Sequence, residues 1–102
     1  MSTEILESYP SRSKDILWRD LDGEAFLLSD DGRQIDLFNK TASFAWQLSD
    51  GQISIADIIS KVVDRFDVKY QVAKRDILAL FQQLLEKKQI QINGNPLDGE
   101  NL

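Results

Sequence analysis

Length, composition and charge together restrict what this chain can be, because 102 residues, 42% of them hydrophobic, form one domain with a core of its own. The chain contains neither cysteine nor histidine, which excludes disulfides, thiolate nucleophiles and cysteine-ligated zinc and removes the usual general base near neutral pH. A net charge of −5 opposes binding to a phosphate backbone.

The first third of the chain predicts a small sheet. Residues 1–13 are polar and aperiodic, and we expect them to be a mobile lead-in. Two Asp-Gly pairs, Asp22-Gly23 and Asp31-Gly32, then separate short apolar runs, and this dipeptide favours tight hairpin turns because both central residues need positive φ. An antiparallel three-stranded meander is therefore predicted over Ile16–Leu21, Glu24–Ser29 and Gln34–Phe38.

The remainder predicts three amphipathic helices, over Lys40–Leu48, Ile55–Phe66 and Tyr70–Lys88. Asn39 and Ser54 are suitable N-cap residues for the first two. Alternation of polar and apolar residues in Gln89–Asn93 predicts a short C-terminal edge strand. We expect residues 94–102 to form a flexible tail. The predicted fold is thus α+β, with one domain over residues 14–93 whose element order resembles a winged helix-turn-helix.

The third predicted strand comes last in the meander and is therefore expected at an edge. Edge strands offer unpaired amides and carbonyls, to which peptides add as a further strand. We expect Gln34, Asp36 and Phe38 to point outward from it.

The third predicted helix has an apolar stripe that is wider on one side. Leu78 and Leu85 lie about 100° and 80° round from Ile77, and Lys74 and Gln82 border the same flank. Between Lys14 and Asn39 the net charge is −4, whereas between Lys69 and Lys88 it is +3. Either the two segments are ordinary solvated faces, or an acidic sheet and a basic helix polarise a groove between them.

The sequence contains no arrangement of residues that predicts catalysis or metal binding. The carboxylate pairs Asp20/Asp22 and Asp30/Asp31 fall in tight turns, where aspartate bonds to the backbone, and the glycines form no phosphate loop. Trp46 and Phe81 lie on inner helix stripes and are predicted core residues. We therefore predict a binding module without cofactor, metal or enzymatic activity. The N-terminus does not read as a signal peptide and no long apolar run is present, which predicts a cytoplasmic protein with no membrane partner.

Several segments in order resemble the PqqD-like family, the recognition elements of ribosomally made, modified peptides. The resemblance covers about Pro10 to Ile92 and departs from the family where Phe38 replaces a usual leucine and a glycine usual near Gln89 is missing. Its motifs are Trp18–Glu24, the Leu27-Leu28 strand, Phe38–Leu48, Arg65–Val68 and Arg75–Leu84.

The resemblance implies a module that holds the leader of a precursor peptide as a fourth strand beside strand three, against helix three. Such modules deliver the leader to a modifying enzyme, often a radical S-adenosylmethionine enzyme, and the resemblance leaves open whether this one is a monomer or a dimer. The residues expected to bind the peptide are Gln34, Ile35, Asp36, Leu37, Phe38, Lys74, Arg75, Leu78, Gln82 and Leu85.

Two alternatives stay open from the residues alone. A nucleic-acid-binding winged helix would use helix three for recognition, supported only by the basic residues between Lys69 and Lys88 and opposed by the net charge. A structural subunit would stabilise an enzyme partner without binding a peptide.

Overall fold

A computed structural model of the chain describes residues 5–28 and 32–97. The predicted α+β class and the order of meander, three helices and C-terminal strand are confirmed. No helix within these ranges is long and apolar enough to span a membrane. The elements bounded within them are β1 (Tyr9–Arg12), β2 (Leu17–Leu21), β3 (Glu24–Leu28), β4 (Ile35–Leu37), α1 (Lys40–Leu48), α2 (Ile55–Phe66), α3 (Tyr70–Glu86) and β5 (Ile90–Asn93).

The meander forms a three-stranded antiparallel sheet in the order β2-β3-β4. Asp22 and Gly23 both adopt positive φ, 54° and 84°, as the predicted tight turn between β2 and β3 requires. Gly32, near the second turn, also has a positive φ of 73°. The other half of that predicted pair, Asp31, lies outside the described residues, as does Ser29 at the end of the second predicted strand.

The N-terminal segment differs from the expected lead-in, because β1 pairs antiparallel with β5 in a second sheet. Pro10 and Ser11 are buried there. The guanidinium of Arg12 donates to the carbonyls of Trp46 and Gln47 at the end of α1, at 2.9 and 2.8 Å. The prediction of a mobile lead-in over residues 1–13 therefore does not hold for residues 9–12, which form a paired strand. The sequence shows no apolar pattern here, because polar side chains of this segment form hydrogen bonds with residues far along the chain.

The core lies between β3 and the three helices, and the prediction that Trp46 and Phe81 belong to it is confirmed, since neither is exposed. The Trp46 ring meets Trp18 of β2 and Phe38 edge-to-face, with centroids 5.9 and 6.0 Å apart. This aromatic cluster joins α1 to the sheet. Such edge-to-face pairs add stability beyond the burial of their surface.

Local caps fix where the helices begin and end. Ser54 accepts a hydrogen bond from the amide of Asp57 at 3.1 Å, which starts α2 as predicted. Helix α3 ends at Glu86, two residues earlier than predicted, and Lys88 follows in the left-handed region at φ 60°. A left-handed residue after the last turn is a common way to terminate a helix.

The junction between β4 and α1 holds the edge of the sheet against the helices. The Asn39 side chain caps α1 by accepting from the amide of Ala42 at 2.8 Å. The buried hydroxyl of Ser43 accepts from the Ala25 amide and donates to the Phe38 carbonyl, at 2.6 and 3.3 Å. This hydroxyl takes the place of a direct strand-to-strand bond where β4 leaves the sheet.

Candidate functional site

Strand β4 has an open edge. Within the described residues it pairs only with β3. The amide of Phe38, just after β4, donates to the carbonyl of Ala25 at 2.9 Å. Because such groups alternate in direction along an antiparallel strand, Asp36 also points its backbone groups toward β3. Ile35 and Leu37 therefore direct their N–H and C=O groups away from the sheet, where a guest strand could pair with them.

The side chains of β4 face the opposite way from the prediction. Asp36 lies opposite the buried Leu27 of β3 and shares its side of the sheet, so it points toward the helices, and Phe38 packs on Trp46. Ile35 and Leu37 point away and are 60% and 80% exposed. The expectation that Asp36 and Phe38 face outward is therefore wrong, although Gln34 is exposed. The pairing register, rather than the polarity of single residues, decides the facing.

Asp36 ties β4 to the segment that follows α3. Its carboxylate accepts hydrogen bonds from Lys87 Nζ and Gln89 Nε2, both at 3.0 Å. The bond from Gln89 and the adjacent charge of Lys87 hold the pKa of Asp36 below its usual 3.8, although partial burial opposes this. The contact fixes the position of β4 relative to the C-terminal end of α3.

The flank of α3 that faces β4 is not the predicted one. Viewed along the axis of α3, Lys87 lies about 80° from Ile77 in one direction of rotation. Leu78 and Leu85 lie at similar angles from Ile77 in the opposite direction. Since Lys87 is the residue that contacts Asp36, β4 lies beside the first side. The groove expected along Leu78 and Leu85 therefore belongs to the other flank.

A pocket of about 200 Å³ lies on this same side of α3, away from Leu78 and Leu85. The start of α1, which directly follows β4, forms one wall, and α3 and the end of α2 form the others. Sequence reasoning missed these residues; the signal available was the apolar pair Val72 and Leu80, on the side of α3 away from Leu78 and Leu85. The pocket is lined by Asn39, Thr41, Ala42, Val62, Val68, Val72, Ala73, Asp76, Ile77 and Leu80.

The remaining predicted residues on α3 lie away from this pocket. Leu78 is half-buried against the core, and Gln82 and Leu85 are exposed. Lys74 is half-buried on the same flank, whereas Arg75 is exposed and forms an ion pair with its neighbour Asp76 at 3.1 Å. The predicted charge contrast is also partly neutralised inside the molecule, because Lys87 pairs with Asp36.

The described residues contain no group of three or more carboxylates placed to hold a metal ion. What β4 and the adjacent pocket offer is an unpaired backbone edge beside an apolar recess. Such an arrangement binds extended chains, with the edge pairing the backbone and the recess taking alternate side chains.

Comparison with known proteins defines the class of protein. The family model described as coenzyme PQQ synthesis protein D (PqqD) matches residues 24–90, which is more than half of the chain. The chain therefore belongs to the PqqD family.

The fold also matches a solved structure of TbiB1 in complex with the TbiA(beta) leader peptide. The TM-score is 0.70 at 17% sequence identity, covering 79% of this chain and 94% of the other. At this identity the match establishes a shared fold. No curated protein matches this chain.

Proposed function

We propose that this chain binds the leader segment of a ribosomally made precursor peptide and presents it to a modifying enzyme without catalysing a reaction itself. The leader would lie as a fourth strand beside β4. The observation that carries the proposal is the open backbone edge at Ile35 and Leu37 in a member of the PqqD family. The structural neighbour, which holds a leader peptide, supports the same ligand class.

The pocket formed by the start of α1, the end of α2 and α3 would select the leader by its side chains. Every second residue of a guest strand would point toward the helices. An apolar side chain there would enter the recess beside Val72 and Leu80, where Asp76 disfavours an acidic one. Backbone pairing would supply much of the affinity, and the recess would set which leader is accepted.

The decisive experiment removes one amide from the open edge. Leu37→Pro deletes an N–H that points away from β3, so the fold should survive while leader binding falls at least tenfold. Leu37→Val keeps the amide and an apolar side chain, and should bind nearly as wild type. Asp36→Pro instead deletes an amide directed at β3 and should unfold the edge. Calorimetry with a synthetic leader measures the affinities, and circular dichroism checks the folds; unchanged binding by a folded Leu37→Pro variant would refute the proposal.

A matched pair on α3 tests the pocket. Val72 and Leu85 are nearly equally exposed, at 38% and 39%, but only Val72 lines the recess. Val72→Asp should weaken leader binding severalfold or more, because it places a charge at an apolar contact. Leu85→Asp should leave the affinity within twofold. The reverse result would return the binding wall to the flank of Leu78 and Leu85, as the sequence suggested.

We propose a radical S-adenosylmethionine enzyme as the type of modifying enzyme served, on the family resemblance. Titrations with other ligands separate this proposal from the two alternative functions. Salt-dependent binding of duplex DNA by wild-type protein would favour a nucleic-acid-binding role. Enzyme binding without any leader affinity would favour a purely structural subunit.

A further inference from the structure

The meander exposes an apolar surface on the side that faces away from the helices. Leu17 and Leu21 of β2 are 64% and 65% exposed on this side, and the exposed side chains of Ile35 and Leu37 of β4 lie on it as well. We call this surface, with the half-buried central residues Phe26 and Leu28, the outer face.

The register makes the outer face continuous. Leu28 lies opposite Leu17 on one side and Ile35 on the other, which forms one row across all three strands. In the next row Phe26 lies between Leu37 of β4 and Arg19 of β2. Directly opposed residues of an antiparallel pair share a face, so these side chains lie side by side on one surface. Contiguous exposed apolar patches of this kind mark interaction sites in proteins.

We propose that the outer face is the surface on which the modifying enzyme docks, an inference that rests on the proposed function. The partner surface would be apolar and bordered by lysine or arginine. The expected charge of the partner follows from the β2–β3 turn, where Asp22 and Glu24 outnumber Arg19, the one cation among the described outer-face residues, and give a net charge of −1. Opposite charges at the border of an apolar contact steer association and fix its register.

A second copy of this chain fits the outer face less well. Three strands about 4.8 Å apart, each of about five residues, cover roughly 250 Å², whereas a stable dimer buries about 800 Å² on each partner. The acidic turn at Asp22, which borders the face, would also be repeated in the second copy. The outer face alone therefore suits a transient contact with a different protein.

The proposed leader would enlarge this contact. A guest strand beside β4 continues the sheet, and its alternate side chains join Ile35 and Leu37 on the outer face. The widened face is continuous with the peptide that the enzyme must reach. Docking there would present the leader and the recognition element together.

The test uses β2, which lies at the edge of the sheet opposite β4, so that docking and leader binding can be separated. The double variant Leu17→Thr, Leu21→Thr removes exposed leucines but keeps residues that favour strands. Leu85→Thr removes an exposed leucine elsewhere and serves as the matched control. The probes are a synthetic leader peptide that wild-type protein binds and a purified radical S-adenosylmethionine enzyme that modifies the same precursor.

We expect the double variant to bind the enzyme at least tenfold more weakly and the leader within twofold of wild type, with Leu85→Thr unchanged in both. Glu24→Lys, on the same face, should also weaken the enzyme complex and flatten its salt dependence. Enzyme affinity unchanged in both outer-face variants would overturn the inference and leave the proposed function standing. A wild-type chain that binds no leader would overturn both. A wild-type dimer in ultracentrifugation that the double variant dissociates would assign the face to a second copy instead.

Discussion

Strands β1 and β4 are both short, and within residues 5–28 and 32–97 each pairs with one other strand, yet their other edges differ. Beyond its pairing with β5, β1 bonds with the loop after α1. The amide of Arg12 donates to the Ser49 carbonyl at 3.0 Å, and the amide of Gly51 to the Pro10 carbonyl at 2.8 Å. No strand in the described part of the chain occupies the second edge of β4. One edge is thus closed by the fold, and the other is left available for pairing.

The side chains of the two strands sharpen this contrast. Polar Ser11 of β1 is buried, whereas apolar Ile35 and Leu37 of β4 are exposed. A protein that leaves apolar side chains and backbone groups uncovered on one edge strand risks aggregation unless that edge has a partner. The comparison supports a structural role for β1 and agrees with the proposal that β4 binds the leader.

The largest expected effect concerns the core that supports both strands. Trp46→Ala should lower the free energy of unfolding by about 3–5 kcal/mol, because it removes the ring on which Trp18 and Phe38 pack. Trp46→Phe is the control and should cost less, because it keeps an aromatic ring and removes an indole N–H that has no hydrogen-bond partner among the described residues. Denaturant melts measure both. A loss below about 1 kcal/mol for Trp46→Ala would contradict the burial of this ring.

The second prediction compares β1 and β4 directly. Arg12→Ala removes two hydrogen bonds to α1 carbonyls and a guanidinium placed 5.5 Å from the centre of the Trp18 ring. It should cost about 1–3 kcal/mol of stability. Leu37→Ala removes an exposed side chain from β4 and should cost less than about 0.5 kcal/mol. Equal losses in thermal melts would break the distinction between a closed strand and an open one.

Sequence reasoning recovered the elements whose signals are local. The Asp22-Gly23 turn and the caps at Asn39 and Ser54 fix backbone conformation over a few residues, so their positions were predicted correctly. It missed β1, because the partners of β1 lie about 80 residues further along the chain in β5. No local pattern encodes that pairing.

The site was predicted only in part, for a related reason. An edge at β4 followed from strand order, but its facing depends on register against β3, and three residues give too short an alternation to reveal it. A helical wheel finds two flanks on α3 without saying which lies beside the sheet. The contact between Asp36 and Lys87 supplies that answer, and it is tertiary.

The third prediction concerns the end of α3, which sets where β5 begins and so closes the sheet of β1. Lys88 adopts φ 60°, a region that is unfavourable for residues with a Cβ. Lys88→Gly should therefore stabilise the fold by about 0.5–1 kcal/mol. The backbone carbonyl of Lys88 still accepts from the Ser13 hydroxyl in the variant. Glu86→Gly, at the exposed last residue of α3, is the control and should not stabilise. Chemical denaturation of both variants checks the sign.

The smallest expected effect is the pH dependence of the side-chain contact that anchors β4. The hydrogen bond from Gln89 and the neighbouring Lys87 lower the pKa of Asp36 in the folded chain, so folding favours its charged form. The resulting stability is fully present above the unfolded pKa of about 3.9 and is lost as the pH falls through the lower folded value. With Lys87 about half exposed, the contribution should stay below about 1 kcal/mol. Asp36→Asn keeps a side-chain acceptor but cannot titrate, so the difference in unfolding free energy between wild type and variant should shrink from pH 7 to pH 3. A difference that stays constant over this range would mean that Asp36 holds β4 by geometry alone and that its charge contributes nothing to keeping the open edge in place.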